Sequence, residues 1–419
     1  MLANSPNFNK VHEYIMAVMN KIVRPSTSAL PFPYTSITTD ESIYGETMFC
    51  WDSHFMAIRY AYDGKPDFFR YLVENLLFYQ KKNGFVPNCI NKDTGPAPLK
   101  DFHAQPFLMQ SAYYYYNAAK DIEWVKNNFS KLEKYIEYYE KKAQNRLGLF
   151  AWTETYMSGI DNDVSTTFFK HGTVISPDLS SRIYLEYKAA SILSKSLGND
   201  NKSREYSEKA VKLKKQINSL HWNEEYQTYT AINSISGESV FRYKDEILNK
   251  MGIGLYSFHS CSNFLPLYAG IADKKSASAM IKRYIINPEH FFCKYGIRSI
   301  SKSSEYYNNA VWGNAPRFGD MKTLTTSNWQ GPVWILNCYL VTNILVNYGF
   351  IKEARNLNDR TLELLARSLD VIGSFSENYN AETGDPLYAK EFTSWNILAD
   401  IISYEIENPE RRIISQLID

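Results

Sequence analysis

Two short segments each set a carboxylate among small, amide and aromatic residues: Ser158-Gly159-Ile160-Asp161-Asn162-Asp163 and Phe375-Ser376-Glu377-Asn378-Tyr379. Both fall between stretches of helical periodicity. Two carboxyl groups facing each other across a sugar, one protonated and one ionised, are what glycosidic bond cleavage requires. In a pocket lined by Trp152, Tyr156 and Met157, an Asp would have its pKa raised by desolvation and would stay protonated, ready to donate to a leaving oxygen. Spacing alone does not choose between Asp161 and Asp163, and the same Asp and Asn residues suit a solvated turn. Glu377 stands among polar and aromatic neighbours, as a base that must stay ionised needs, whereas Glu382 sits in a Thr-Gly turn.

Other segments carry groups that would hold a sugar. Trp51 beside Asp52 offers a stacking face and a two-oxygen acceptor for adjacent hydroxyls, although Asp52 equally fits the cap of the helix that follows. Gln105, in Asp101-Phe102-His103-Ala104-Gln105, offers a donor and an acceptor. His103 fits a structural role better than an acid/base one. In Asn328-Trp329-Gln330-Gly331-Pro332-Val333-Trp334, Pro332 fits a first helical turn and Gly331 permits close approach of backbone to a ligand. Arg298 would bind a carboxylate or hold a loop by an ion pair.

Helices must position these groups. Apolar periodicity predicts helices near 8–23, 53–62, 66–81, 104–119, 121–143, 178–197, 201–219, 262–271, 274–285, 332–348, 351–369 and 392–405, with a tail helix near 409–418. Asp121, Asp178 and Asp273 read as caps, and Gly198 and Gly349 follow helix ends. Short joints between successive helices imply antiparallel hairpins. About a dozen helices so paired predict an all-α fold, an (α/α)6 barrel, as a single domain over residues 1–419. The stretches 24–52, 82–103, 144–177, 220–260, 286–331 and 370–391 are too long for idle connectors and are expected to rim a pocket.

Composition narrows the partners. Lys and Arg number 46 against 45 Asp and Glu, which gives no basic footprint for nucleic acid or an anionic membrane. No apolar run of 18 residues occurs, so no transmembrane helix is expected. The five cysteines are widely spaced without a CxxC or His/Cys cluster, so neither a metal site nor a disulfide framework is expected. The N-terminus lacks a signal-peptide pattern, and a cytoplasmic protein is the expectation. Aromatic residues make up 15% of the chain, well suited to a core and to sugar stacking alike. Nothing in the sequence speaks to oligomeric state.

Together these segments resemble the catalytic domain of glycoside hydrolase family 63, particularly its mannosylglycerate and glucosylglycerate hydrolase branch, with trehalases more distant. The resemblance runs from Phe49-Cys50-Trp51-Asp52 to Trp395. Its strongest matches are Ser158-Gly159-Ile160-Asp161-Asn162, Trp329-Gln330-Gly331-Pro332-Val333-Trp334, and Glu377-Asn378-Tyr379 with Thr383-Gly384. It implies Asp161 as general acid, Glu377 as general base, and inverting hydrolysis of an α-glycoside without a cofactor or metal. It also implies that Trp51, Asp52, Gln105, Trp329 and Gln330 contact the innermost sugar, with Trp395 walling the pocket near the base. The implied substrate is a small glycoside or oligosaccharide, releasing glucose or mannose. A glycerate leaving group would want a cation such as Arg298 or Arg317. Met157 stands where many members have Glu, and the chain has no room for the N-terminal β-rich domain of larger members. Both departures favour a compact enzyme for small glycosides over one trimming protein-linked glycans. The competing readings are a non-catalytic sugar-binding toroid, a trehalase-like or oligosaccharide α-glucosidase, and a lyase or isomerase using a Tyr or one of His54, His103 and His171.

Overall fold

Helices of two kinds alternate along the chain. One kind shows a single apolar stripe: α1 (Pro6–Ile22), α3 (Asp67–Leu77), α5 (Ile122–Lys142), α7 (Asp200–Leu220), α9 (Lys274–Met280) and α11 (Ile351–Ile372). In α1 that stripe is Val11, Ile15, Val18, Met19 and Ile22, the spacing of one helix face. The other kind is buried almost all round: α2 (Cys50–Tyr62), α4 (Leu108–Ala119), α6 (Pro177–Ser196), α8 (Leu265–Tyr268), α10 (Ile335–Asn347) and α12 (Ile402–Glu407). A helix without a polar face needs neighbours on every side, so these form an inner ring and the striped helices wrap it. The 3₁₀ segment Ser394–Asp400, which leads into α12, packs on both α2 and α10, and α8 bridges α6 and α10. The result is an (α/α)6 barrel.

The computed structural model describes residues 5–40, 44–97, 101–167, 172–244, 255–257, 259–317 and 320–418. One hydrophobic cluster runs through the barrel from Val11 to Leu417. A buried ion pair closes the ring: the Arg59 guanidinium of α2 donates to Asp400 at 2.7 and 2.9 Å, and His12 of α1 reaches the same carboxylate at 2.9 Å. Asp121 and Asp273 cap α5 and α9 through backbone N–H groups, as expected. Asp178 does not cap; it lies inside α6 and accepts the Trp152 indole N–H. Asp52 likewise lies inside the first turn of α2, whose cap residue is Phe49, and Pro332 stands ahead of α10. All five cysteines are buried and free. Among the described residues no helix is long and apolar enough to cross a membrane.

The long connections carry short antiparallel ladders that periodicity did not reveal. β1 (Thr47–Phe49) pairs with β2 (Cys89–Asn91), and β3 (Trp312–Arg317) with β4 (Asp320–Ser327), placing Trp312 opposite Ser327. The three-residue strands β1 and β2 are too short to show alternation. β3 and β4, of six and eight residues, are long enough, but the sequence reading takes that stretch only as a rim loop.

Candidate active site

Five of the six predicted rim stretches converge at one end of the barrel around a cavity of about 420 Å³; residues 220–260 contribute no described lining side chain. The β1–β2 ladder delivers the chain into α2, and the Cys50 N–H bonds the Asn88 carbonyl at 3.0 Å. Trp51 and Asp52, in the first turn of α2, therefore face the cavity beside Asn88. Trp51 stacks on Trp329 with ring centroids 5.7 Å apart, and Trp329 on Trp334 at 3.7 Å. Trp395 leans on Trp51 at 5.5 Å. Beneath, the buried Arg182 guanidinium lies 5.3 Å from the Trp51 ring, a cation–π support.

The 3₁₀ turn Thr155–Ser158 ends at Gly159 with φ +80°. The Trp51 ring lies on that glycine: a Cβ there would sit 1.8 Å from Trp51 Cε3. The turn aims Asp161 into the cavity. Asp163 turns away, accepting from the Ser165 backbone N–H and hydroxyl at 3.0 Å each and from the Ser262 hydroxyl. Between the two, buried Asn162 accepts the Trp329 N–H at 2.7 Å and receives the Gln330 amide on its carbonyl at 3.0 Å. Asn162 thus ties the Asp161 loop to the tryptophan segment, a role the sequence reading did not assign.

Glu377 reaches the cavity from a strand-like segment. Its N–H bonds the Ala389 carbonyl at 3.1 Å, and Tyr379 and Val333 exchange backbone hydrogen bonds of 3.0 and 2.7 Å. The Ser327 hydroxyl donates to Glu377 Oε1 at 2.9 Å and the Tyr44 hydroxyl to Oε2 at 3.3 Å. Ser327 also lies within hydrogen-bonding reach of Asp161, so it stands between the two carboxyls. Burial, reinforced by the Asp52 charge, lifts Asp161 to about 7. Burial also lifts Glu377 to about 8, against the pull of its Ser327 and Tyr44 hydrogen bonds, and Asp52 to about 7 against its bond from Ser394 at 2.6 Å. Burial therefore brings all three carboxyls of the cavity into the range where protonation changes around neutral pH. Tyr44, Asn88 and Ser327 were not singled out from sequence, because nothing local marks a residue that only long-range packing brings to a site.

Four residues that line the cavity each carry a buried polar atom with no hydrogen-bond partner within the protein: Trp51 Nε1, Asn88 Oδ1, Gln105 Oε1 and Trp395 Nε1. Buried polar groups are normally paired, and such a set on residues that line a cavity suits a ligand rich in hydroxyls. Of the sequence candidates, Trp51, Asp52, Gln105, Asp161, Trp329, Glu377 and Trp395 line the cavity. Gln330 does not, since its amide is spent on Asn162. Trp152 and Met157 sit in the core, leaving Tyr156 as the lining member of that trio. Gly331 makes room for the chain itself: a Cβ there would meet the Asn308 carbonyl oxygen at 1.9 Å. Arg298 is committed to the carbonyls of Pro288, His290 and Phe292, to Tyr307 and to Glu382, the structural alternative. Arg317 lies in β3, in a stretch whose side chains are outside the described residues, as is His171. His54 and His103 are buried, burial lowers each to about 3, and neither lines the cavity. No group of three or more His, Cys, Asp or Glu among the described residues is arranged to hold a metal ion.

Solved structures share this fold. The GH63 mannosylglycerate hydrolase from Thermus thermophilus in complex with glucose matches with a TM-score of 0.68 at 18% identity, over 94% of this chain and 100% of that one. The same hydrolase with Tris and D-glycerate matches at 0.67 and 17%, over 95% and 100%. Neutral trehalase Nth1 from Saccharomyces cerevisiae matches at 0.62 and 15%, over 96% and 81%. No curated protein matches the sequence. The sequence profile of the mannosylglycerate hydrolase MGH1-like glycoside hydrolase domain matches residues 45–395, most of the chain and every carboxylate of the cavity. The chain therefore belongs to the MGH1-like family of glycoside hydrolases.

Proposed function

We propose that the protein is an inverting α-glycoside hydrolase that releases glucose or mannose from a small α-glycoside, with the chain acting as one catalytic domain. Asp161 is the general acid and Glu377 the general base. Trp51, Asp52, Gln105, Trp329 and Trp395 hold the innermost sugar, aided by Asn88. The observation that carries this reading is the meeting of both carboxyls with four unpartnered polar atoms and a tryptophan floor in one cavity. The tryptophan faces suit the C–H face of a pyranose, and the amide and indole groups suit its hydroxyls.

The two carboxyls need opposite protonation, although burial raises both and raises Glu377, the base, further than Asp161. Ser327 supplies the asymmetry. Its hydroxyl has one proton, which it gives to Glu377 Oε1. Turned to Asp161 instead it would lower that carboxyl, so its orientation biases which of the two is ionised. Tyr44 adds a second donor to Glu377. In the reaction, Asp161 protonates the glycosidic oxygen while Glu377 takes a proton from a water attacking the opposite face of the sugar. The chemistry requires no cofactor. The T. thermophilus relative was crystallised with glucose and with D-glycerate, which makes glucosylglycerate and mannosylglycerate reasonable first substrates beside short α-glucosides.

Proton NMR of the first-formed product tests the assignment. An α-glycoside should yield the β-hexose before mutarotation, and initial release of the α-anomer would indicate a retaining nucleophile. Asp161→Asn and Glu377→Gln should fold normally and lose ~10²–10⁴-fold in kcat. Near-native turnover in either would remove that residue from its role.

A further inference from the structure

We propose that the mouth of the cavity is a stacking subsite, built on Trp312 and Tyr388, that takes a neutral ring-bearing leaving group, a second sugar, in preference to a carboxylate such as glycerate. This rests on the hydrolase reading and extends it to the half of the substrate that reading leaves open. The buried part of the cavity is fitted for one pyranose: Trp51, Trp329 and Trp395 are nearly inaccessible, and Trp51 and Trp395 each carry an unpartnered indole N–H. The leaving group must then occupy the open side. Trp312 lines that side while 46% of its surface remains exposed, a large apolar ring held in water at the lip of a polar cavity. It rests on Tyr388, with ring centroids 4.1 Å apart and planes tilted by 58°.

The platform is held in register with the chemistry. Trp312 pairs across the ladder with Ser327, the residue that bonds Glu377, and Tyr388 lies two residues from Lys390, which bridges back to Ser376. An exposed Trp with an aromatic backing offers a flat face to a sugar ring. Glycerate has no ring to lay on it.

Charge points the same way. Asp52, Asp161 and Glu377 line the cavity, and no Lys, Arg or His is among its described lining residues. An anionic leaving group would enter beside three acids, of which at least the base must be ionised for catalysis, with no cation among the described lining residues, which costs affinity. Of the two cations that the sequence offered, Arg298 is enclosed by its own partners, and the side chain of Arg317 lies outside the described residues.

The experiment compares kcat/KM for α-glucosyl and α-mannosyl fluoride, kojibiose, nigerose, glucosylglycerate and mannosylglycerate. The fluorides have no organic leaving group, so they test the hydrolase reading alone. Turnover of a fluoride, with the better disaccharide exceeding both glycerate glycosides at least tenfold, is the expected result. In Trp312→Ala the ratio of disaccharide to fluoride kcat/KM should fall about tenfold, mainly through KM, with recovery in Trp312→Phe. A glycerate glycoside as the preferred substrate would overturn the subsite while leaving the hydrolase intact. Equal losses on fluoride and disaccharide in Trp312→Ala would overturn it too, reducing Trp312 to a support for the hairpin. Failure on every substrate would sink the hydrolase reading; calorimetry of kojibiose and glucosylglycerate on Glu377→Gln would still read the subsite, tighter kojibiose supporting it and tighter glucosylglycerate refuting it.

Discussion

At the scale of single residues, the site depends on which carboxyl holds a proton, and Ser327 is the hinge of that choice. Hydrogen bonds to charged groups are worth roughly 1.5–3 kcal/mol, or tenfold and more. Removing a donor from the Glu377 carboxylate raises its pKa further, so the base is ionised only at higher pH. Ser327→Ala should therefore move the acidic limb of the kcat/KM profile upward and cost about tenfold at pH 6, with a smaller loss at pH 8. Tyr44→Phe should shift it in the same direction by less, since its bond is longer at 3.3 Å. An unmoved acidic limb in both variants would remove Ser327 and Tyr44 from the protonation of Glu377. The carboxylates themselves were legible because they sit in compact signatures. Their partners were not: Ser327 is 50 residues from Glu377 in sequence and Tyr44 is 333. Spacing alone did not separate Asp161 from Asp163, which the resemblance did; in the structure Asp161 lines the cavity while Ser165 and Ser262 hold Asp163 away from it.

At the scale of elements, the helices were readable and the loops were not. A buried inner helix and a striped outer one leave different apolar patterns, and both were found to within a few residues except where 3₁₀ and π geometry interrupts them, as at Ser394–Asp400 and Ile281–Ile285. The loops are held by tertiary contacts that no local pattern announces. The tightest joins the Asp161 turn to α2 at Gly159 and Trp51. Gly159→Ala puts a methyl group into the indole and also forces a side chain into left-handed backbone. Overpacking and the lost glycine conformation together should cost roughly 2–4 kcal/mol in urea unfolding. Because the displaced elements carry Asp161 and Trp51, kcat/KM should fall by more than the unfolded fraction explains. A variant as stable and as active as the parent would show that Trp51 moves aside freely and that the contact does not set the site.

At the scale of the whole molecule, a cavity that keeps acids protonated carries a pH-dependent cost. Burial raises Asp52, Asp161 and Glu186 to about 7 and Glu377 to about 8, so above their unfolded values the folded state binds more protons than the unfolded chain. Stability then falls as pH rises, and each contribution stops growing above the folded pKa. The buried histidines act with the opposite sign. His54 and His103 are lowered to about 3 and His221 to about 4, so below pH 6.5 the unfolded chain takes up protons that the folded state refuses, and stability falls as pH drops. The two sets oppose each other between about pH 4.5 and 6.5. From pH 6.5 to 8 the carboxyls act together with His12, which its bond to Asp400 raises and which works in the same direction. Unfolding free energy should decline there by roughly 1–3 kcal/mol. Glu377→Gln removes the group with the highest folded value, so the variant should be more stable than the parent at pH 8, nearly equal at pH 5, and inactive at both. Urea titrations of parent and variant at these pH values measure the difference. A parent whose stability rises from pH 6.5 to 8 would mean that the carboxyls are ionised and paired in the folded protein, and that Asp161 must take up its proton from solvent when bound substrate desolvates it further.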